Sequence, residues 1–375
     1  MSSACEINPK TGSLDNQFLY IDLESVVKGS LVKRQIIEKD GAPSRAQRVL
    51  KENDILYQCV RPYQLNNYIF EGDTIQCVAS TGYAQLRTTQ FPLYIFQALH
   101  TKQFTNQVLE RCTGTNYPAI NSSDLGTVEV PICSLPEQVK IGSLLALIDS
   151  RIKTQSKIIE ELKTLRGALV DTYINDGNNN NENQTIMSLG AYGCFVRGLT
   201  YSSVDVTDNT ATTGVVRSNN LEYGSPVDIK TDLVYVTKKP SPEQMLVNGD
   251  IVICMANGSS SLVGKASNYQ ELCRNMTVGA FCGIYRGTHP LTKWIFMSSA
   301  YCKAVANAIQ GGNGAIANLH AEDILSMCFA VPSDYKTITE LGKLLSLFDE
   351  KLHAAEEQLA RFIEQKKYFL FKMFI

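Results

Sequence analysis

One helical pattern is written twice in this chain, and that repetition limits what it can fold into. From Leu135 to Ile174 apolar side chains step by alternating four and three residues, at Ile141, Leu145, Ile148, Ile152, Ile159, Leu162, Leu169 and Tyr173, with Gln155 and Arg166 breaking the seam. Adding 200 to each number gives Leu341, Leu345, Phe348, Leu352, Leu359, Phe362, Phe369 and Met373, with Ala355 and Lys366 at the two breaks. One such seam would be ordinary core packing. Two in one register, each about four to five heptads long, predict two coiled-coil helices of common origin that pack on each other.

Each copy carries its own start signal. Ser134-Leu-Pro-Glu137 reads as a capping box, with Pro136 in the first turn, where no intrahelical N–H is needed. Thr337-Ile-Thr-Glu340 reads as the same box in the second copy.

The remainder of the 375 residues suffices for two or three domains with real cores. A 44% apolar and 19% charged composition is that of a folded protein, and a net charge of −2 means that any basic surface is local. The 11 cysteines form no CxxC pair and only 4 histidines are present, which argues against a zinc site or a disulfide framework and for a reducing cytoplasm. No leader-like apolar stretch opens the chain, and no run approaches the roughly eighteen residues of a membrane span.

Residues 1–133 alternate β-rich runs with turns, Phe18-Leu-Tyr-Ile21, Asp54 to Val60 and Thr74 to Val78, and show a helical pattern from Leu93 to Leu109. This predicts a mixed globular domain ahead of the first helix, residues 134–174. The polar, low-complexity stretch 175–185 reads as a linker, 186–333 as a second globular domain, and 334–375 as the second helix. The second domain echoes the first at Asp250-Ile-Val-Ile-Cys254, at Gly311 to Ile316, at Asp323-Ile324 and at Val331-Pro332, and between these anchors the two look unlike each other. A helix from Leu135 to Ile174 is about 60 Å long and the linker spans at most about 40 Å, which favours an antiparallel pair. The expected fold class is α+β: two mixed α/β globular domains separated by two long antiparallel coiled-coil helices, an internal repeat with a pseudo-two-fold axis and a dumbbell outline.

No catalytic constellation emerges. Gly258 to Lys265 resembles a phosphate loop but has one residue too many between its glycines, and Ala266 stands where Ser or Thr would hold magnesium. Asp149 with Glu161-Leu-Lys163 echoes a nuclease acid pair but lies on the long helix, where alternating charges form a solvated face. Gly312-Asn-Gly314 reads as a loop. Neither a Ser/His/Asp arrangement nor the Asn-Pro-Pro-aromatic or Asp-Pro-Pro-aromatic stretch of an amino-methyltransferase is present, and no metal or cofactor is expected on this chain. Local basic and polar-aromatic patterning does stand out. Lys28, Lys33, Arg34, Lys39, Arg45, Arg48 and Lys51 precede the turn Val60-Arg-Pro-Tyr-Gln-Leu-Asn-Asn67. Arg61, Tyr63, Gln64, Asn66 and Asn67 there are types that contact phosphates and base edges, because Arg can fork onto guanine and Gln or Asn onto adenine. Asn116 and Tyr117 join them as candidates. In the second domain the corresponding candidates are Asn257, Ser259, Ser260, Lys265, Arg274, Arg286 and Asn313.

Four sets of residues now carry a resemblance: Pro9-Lys-Thr-Gly12 with Tyr20-Ile-Asp-Leu23; Asn53-Asp-Ile-Leu56 running to Val60-Arg-Pro-Tyr63; Gly114 to Asn121; and Val130-Pro131 followed by Leu135-Pro-Glu-Gln138, Ile141 and the helix to Tyr173. The chain resembles the specificity (S) subunit of a type I restriction–modification system over essentially its full length. The second copy, Val331-Pro-Ser-Asp, departs from that pattern by lacking Glu-Gln. The resemblance implies two target-recognition domains, each reading half of a bipartite duplex DNA sequence, with the helices setting the gap. It also implies two methyltransferase (M) subunits that methylate adenine with S-adenosylmethionine, and restriction (R) subunits that use ATP and Mg to translocate and cut. Rival expectations are a coiled-coil scaffold without DNA binding, and an enzyme with an unrecognised site.

Overall fold

The computed structural model describes residues 1–10, 12–114, 116–177, 183–270, 275–309 and 317–374. Its α-helices among these are α1 (Pro92–Ala98), α2 (Lys102–Glu110), α3 (Ser122–Thr127), α4 (Leu135–Tyr173), α5 (Thr292–Ile295), α6 (Ser299–Ala308), α7 (Ala321–Ser326) and α8 (Tyr335–Met373). The two long ones, α4 and α8, each run for 39 residues. Contacts divide the chain into two units, Met1–Ile158 with Ala355–Ile375, and Ile159–Ala354, so that each unit contains a globular part and a portion of both long helices.

The heptad reading holds along both helices. Every seam position, from Ile141 to Tyr173 and from Leu341 to Met373, is buried or half-buried, while its flanking positions are largely exposed. The polar breaks belong to the seam. In the first unit Gln155 is 7% exposed and donates its Nε2–H to the Ala355 carbonyl at 3.0 Å. Lys366 Nζ lies 2.6 Å from Asp149 Oδ1, and Asp149 Oδ2 accepts from Gln97 Nε2 on α1 at 2.7 Å. Going from Asp149 to Gln155 on α4 therefore goes from Lys366 back to Ala355 on α8: the helices are antiparallel. In the second unit Arg166 meets Asp349 at 2.6 Å, and Asp349 also pairs with Lys293 on α5. The numbers are related by 200 in both directions. Each charged break, Lys366 and Arg166, thus meets an acid on the other helix, and that acid is also held by a helix of the globular part. This corrects the reading of Asp149 as part of a solvated face.

The helix starts differ from one another. Glu137 Oε2 accepts from the Ser134 N–H at 3.1 Å and from the Ser134 hydroxyl at 2.7 Å, so the backward half of the first box forms while the hydroxyl donates. The second box is misplaced by sequence: α8 begins at Tyr335, and Asp334 Oδ2 accepts from Thr337 N at 2.8 Å and from Thr337 Oγ1 at 2.9 Å. A carboxylate at the position before the helix is the better acceptor for orphan N–H groups, so it takes the cap. Gln138, 1% exposed, explains the Glu-Gln of the first copy. Its Oε1 accepts from Phe91 N, and its Nε2 donates to Gln90 Oε1 and the Cys133 carbonyl, locking α4 to the start of α1.

The first unit contains two four-stranded sheets. One is antiparallel, in the order Cys5–Ile7, Tyr83–Thr88, Ile55–Gln58, Tyr68–Ile69. The other, Gln35–Glu38, Gln17–Ile21, Cys77–Ser80, Ala46–Val49, has a parallel central pair with Tyr20 opposite Val78. The second unit repeats the antiparallel order as Gly193–Arg197, Cys282–Gly287, Ile251–Cys254, Ala266–Asn268, and the parallel pair as Thr213–Val216 with Met276–Val278. So the stretches between the anchors are alike in part: the antiparallel sheet keeps one strand order under divergent side chains, whereas the parallel pair is central in the mixed sheet of the first unit and at the edge of its sheet in the second. The Asp-Ile echo has a common cause. Asp54, 1% exposed, is forked by Arg87 through Nε at 2.8 Å and Nη2 at 2.7 Å, and Asp250, 1% exposed, is forked by Arg286 at the same two distances.

Three boundaries move. The strand expected at Thr74 to Val78 is Cys77–Ser80, because Asp73 accepts from Thr74 N at 2.7 Å and turns the chain there. The pattern from Leu93 to Leu109 is two helices, since Thr101 accepts from Phe104 N at 3.2 Å and starts α2. Within 175–185, Asn175 pairs with Ala330, and Gln184 begins a strand on Cys328–Pro332; 178–182 lie outside the described residues.

Replacing Asp349 by Ala leaves Arg166 and Lys293 half-buried without their acid and is expected to cost about 1–3 kcal/mol in urea denaturation. Replacing Arg166, Lys293 and Asp349 together by Met, Met and Leu should recover most of that loss.

Candidate nucleic-acid interface

The turn after Ile55–Gln58 is held in an uncommon backbone shape. Arg61 and Leu65 both sit in the left-handed region, at φ 53° and 54°, and bracket one 3-10 turn over Pro62–Gln64. The closing stretch straps this turn: Arg61 N donates to the Pro118 carbonyl at 2.8 Å, and Ile120 N to that of Cys59 at 3.0 Å. The strap brings Tyr117 under Arg61, whose guanidinium carbon is 4.3 Å from the ring centroid. Tyr63 and Tyr117 are 51% and 64% exposed, and Gln64 and Asn116 are exposed beside them. A stacked guanidinium keeps its N–H fork free for phosphate or guanine. The structure thus brings Arg61, Tyr63, Gln64, Asn116 and Tyr117 onto one surface.

Beneath that surface lie groups that sequence reasoning missed or misplaced. Asn67 is 1% exposed, and its Oδ1 accepts from Gln58 N at 2.9 Å, so it supports the turn from inside and is not on the outward face. Asn66 is half-buried and its Oδ1 accepts from Lys28 N at 3.0 Å. Gln58, 3% exposed, was not anticipated; the only signal in sequence is a lone amide closing an otherwise apolar strand. His100 also went unnoticed. Its Nδ1 is 2.7 Å from the Phe96 carbonyl, and its ring hydrogen-bonds the Leu65 carbonyl at the end of the turn. Burial, and then the positive charge of Lys366, push its imidazole down to about 4, against the pull of those carbonyls and of Asp149.

Other candidates scatter. Arg45 is exposed, with its backbone carbonyl accepting from Thr81 N. Arg48 is half-buried, burial lowers its pKa, and its Nε has no hydrogen-bond partner. Within the basic run, Arg34 is paired with Asp73 at 2.6 Å and Lys33 with Asp22 at 3.9 Å. In the second unit Asn257 is half-buried, its Oδ1 accepting from Ser259 N at 3.0 Å, and Ser259 and Ser260 are exposed on the same loop. Lys265 is 3.4 Å from Glu222, which removes the free lysine that a phosphate loop would need. Arg286 is forked onto Asp250 through Nε and Nη2, so it ties two strands of its own unit together as Arg87 does in the first. Arg274, Asn313 and Gly312-Asn-Gly314 lie outside the described residues. Among the described residues no group of three His, Cys, Asp or Glu is placed to hold a metal ion, and no helix is long and apolar enough to cross a membrane.

A histidine held neutral in the fold but free to ionise when unfolded lowers stability as pH falls, because the unfolded state takes the proton first. The loss should build between the ordinary value of 6.5 and the depressed value of about 4. Urea denaturation across this range should therefore give a shallower pH slope for His100→Gln than for the parent chain; parallel slopes would contradict this reading of the histidine.

Residues 5–164 match the family model described as "Type I restriction modification DNA specificity domain". The chain is 28% identical over 192 residues to the type I restriction enzyme EcoKI specificity subunit of Escherichia coli (strain K12), covering 49% of this chain and 40% of that one. It is 37% identical over 95 residues to the StySPI specificity subunit of Salmonella potsdam, covering 24% of this chain and 20% of the relative. The matched stretches thus span less than half the length of these curated relatives. Among solved structures it resembles the S subunit of a type I restriction–modification system from M. genitalium, with TM-score 0.62 and 15% identity over 100% of this chain and 94% of that one. It also resembles a chain from a study of complex assembly and conformational transition of the type I R-M system, with TM-score 0.54 and 18% identity over 100% of this chain and 96% of that one. At these identities the structural likenesses establish the fold.

Proposed function

Starting from a chain that carries a type I restriction–modification DNA specificity domain over residues 5–164, we propose that it is the non-catalytic DNA-reading subunit of such a complex. Its two globular parts each read one half of a bipartite duplex sequence. The observation that carries this is the strapped turn, which presents Arg61 on Tyr117 beside Tyr63 and Gln64. A guanidinium stacked on a tyrosine, with amide groups beside it on a strapped turn, suits recognition of phosphates and base edges. The reaction belongs to partners: M subunits that methylate adenine with S-adenosylmethionine, and R subunits that use ATP and Mg.

The long helices have a second surface suited to those partners. Outside the seam, Leu144 and Leu147 are 38% and 55% exposed, and Leu344 and Leu347 are 44% and 57% exposed. The same two residues recur at the same spacing in both copies, which fits two copies of one partner docking on equivalent faces, hence two M subunits per chain. Replacing Leu144, Leu147, Leu344 and Leu347 together by Ser should abolish methylation supported by the partners while duplex binding by the chain is retained.

Binding to duplex should weaken steeply with salt. Arg61→Ala should cost about 1–3 kcal/mol and relax one half-site only. Salt-independent binding, or none, would leave a scaffold without DNA as the better reading. The helices should also set the gap: lengthening both by one heptad keeps the seam in register and adds about 10 Å, or roughly three base pairs. Motif mapping in a strain with the partner subunits should show both half-sites unchanged and further apart.

A further inference from the structure

The hydrogen-bond pattern beneath the Val60 to Asn67 turn goes further than placing candidates on a surface, because it fixes which way their amides point. Gln58 is the keystone. Its Nε2 donates to the Val60 carbonyl at 2.8 Å, and its Oε1 accepts from the Asn66 backbone N–H at 3.2 Å. A backbone carbonyl can only accept and a backbone N–H can only donate, so the two ends of the Gln58 amide cannot be exchanged. Gln58 Nε2 also reaches Gln64 at 2.9 Å, and the atom it meets must therefore be the Gln64 oxygen, Oε1. Gln64 is left with its NH2 outward. Asn66 is settled the same way, since its Oδ1 takes the Lys28 backbone N–H at 3.0 Å. Two of the turn's backbone carbonyls are taken as well: Arg61 O accepts from Gln64 N, and Pro62 O from Leu65 N. With the Arg61 guanidinium added, the groups that the turn turns outward are mainly donors, the amide oxygens of Gln64 and Asn66 being engaged inward and the Tyr63 hydroxyl able to do either.

We propose that this turn, whose outward side-chain amide and guanidinium groups are donors, reads an acceptor-only base edge, guanine through N7 and O6 in the major groove, and that Gln58 is the positioning residue that sets this preference. Adenine readout by Gln64 would need its oxygen to accept from N6, and that oxygen is turned inward. The inference rests on the reading of this turn as a DNA contact, so the test separates the two. The full chain, co-produced with its methyltransferase partner, is assayed by methylated-motif mapping and by duplex binding against salt, as parent, Arg61→Ala, Gln64→Glu, Gln58→Glu and Gln58→Met. The parent half-site should contain guanine at a position that relaxes in Arg61→Ala. Gln64→Glu replaces the outward donor by an acceptor and should lower affinity for that site at least tenfold, with preference moving toward cytosine, whose N4–H2 donates. Gln58→Glu cannot donate to Gln64, so the Gln64 amide turns over and the preference should move toward adenine or cytosine. Gln58→Met, which keeps the packing volume should the buried acid prevent folding, should broaden the position. Motifs that respond to Arg61→Ala but are unchanged in all Gln58 and Gln64 variants would overturn the proposal and leave the DNA reading intact. Uniform weakening with an unchanged motif would assign the turn to phosphate and also overturn it. No response in any variant would remove both.

Discussion

A cation set into an apolar seam and met there by an acid of the opposite helix is the interaction on which the rest of the structure depends. A seam made only of Leu, Ile and Phe gains nearly the same burial after sliding by a heptad, so hydrophobicity alone leaves register open. Asp149 and Asp349 remove that freedom. Each reaches a cation on the opposite helix, Lys366 or Arg166, and a donor on a short helix of the globular part, Gln97 or Lys293. A slipped register would leave half-buried charges unpaired, which costs several times what an exposed pair contributes. The same two carboxylates therefore fix the helix pair and the seating of each globular part on it.

Duplication explains why this device occurs twice. Both units carry the same antiparallel strand order, the same parallel pair and the same aspartate–arginine fork behind it. What differs is the outward surface. In the first unit the turn after Ile55–Gln58 is strapped by Tyr117, and in the second the loop after Ile251–Cys254 runs through a Ser-rich 3-10 turn, with Lys265 tied to Glu222. A fixed frame bearing two different surfaces is what reading two different half-sites requires.

The fold was legible where periodicity carried it. The seam positions and the Asp-Ile echo could be read because burial imposes spacing on apolar residues whatever their partners. The cap of α8 was not, because Asp334 and Thr337 compete for the same orphan N–H groups and only the backbone decides between them. The candidate site was legible by residue type and not by direction. Arg61, Tyr63 and Gln64 stand out as polar and aromatic groups in a turn, yet nothing in the string separates Asn66 from the buried Asn67, or a free arginine from Arg286 on Asp250. Gln58 and His100 were invisible, since a single polar residue at the end of an apolar strand or helix becomes meaningful only when its long-range partners are known.

In the function proposed above, this chain decides where a partner's chemistry falls on DNA. Mapping methylated adenines across the genome of a strain that carries the partner subunits, with the gene for this chain present, deleted and restored, tests that claim directly. The expected result is one bipartite motif, two short specified halves around an unspecified gap, that vanishes on deletion and returns on restoration. An identical set of methylated motifs in all three strains would contradict it.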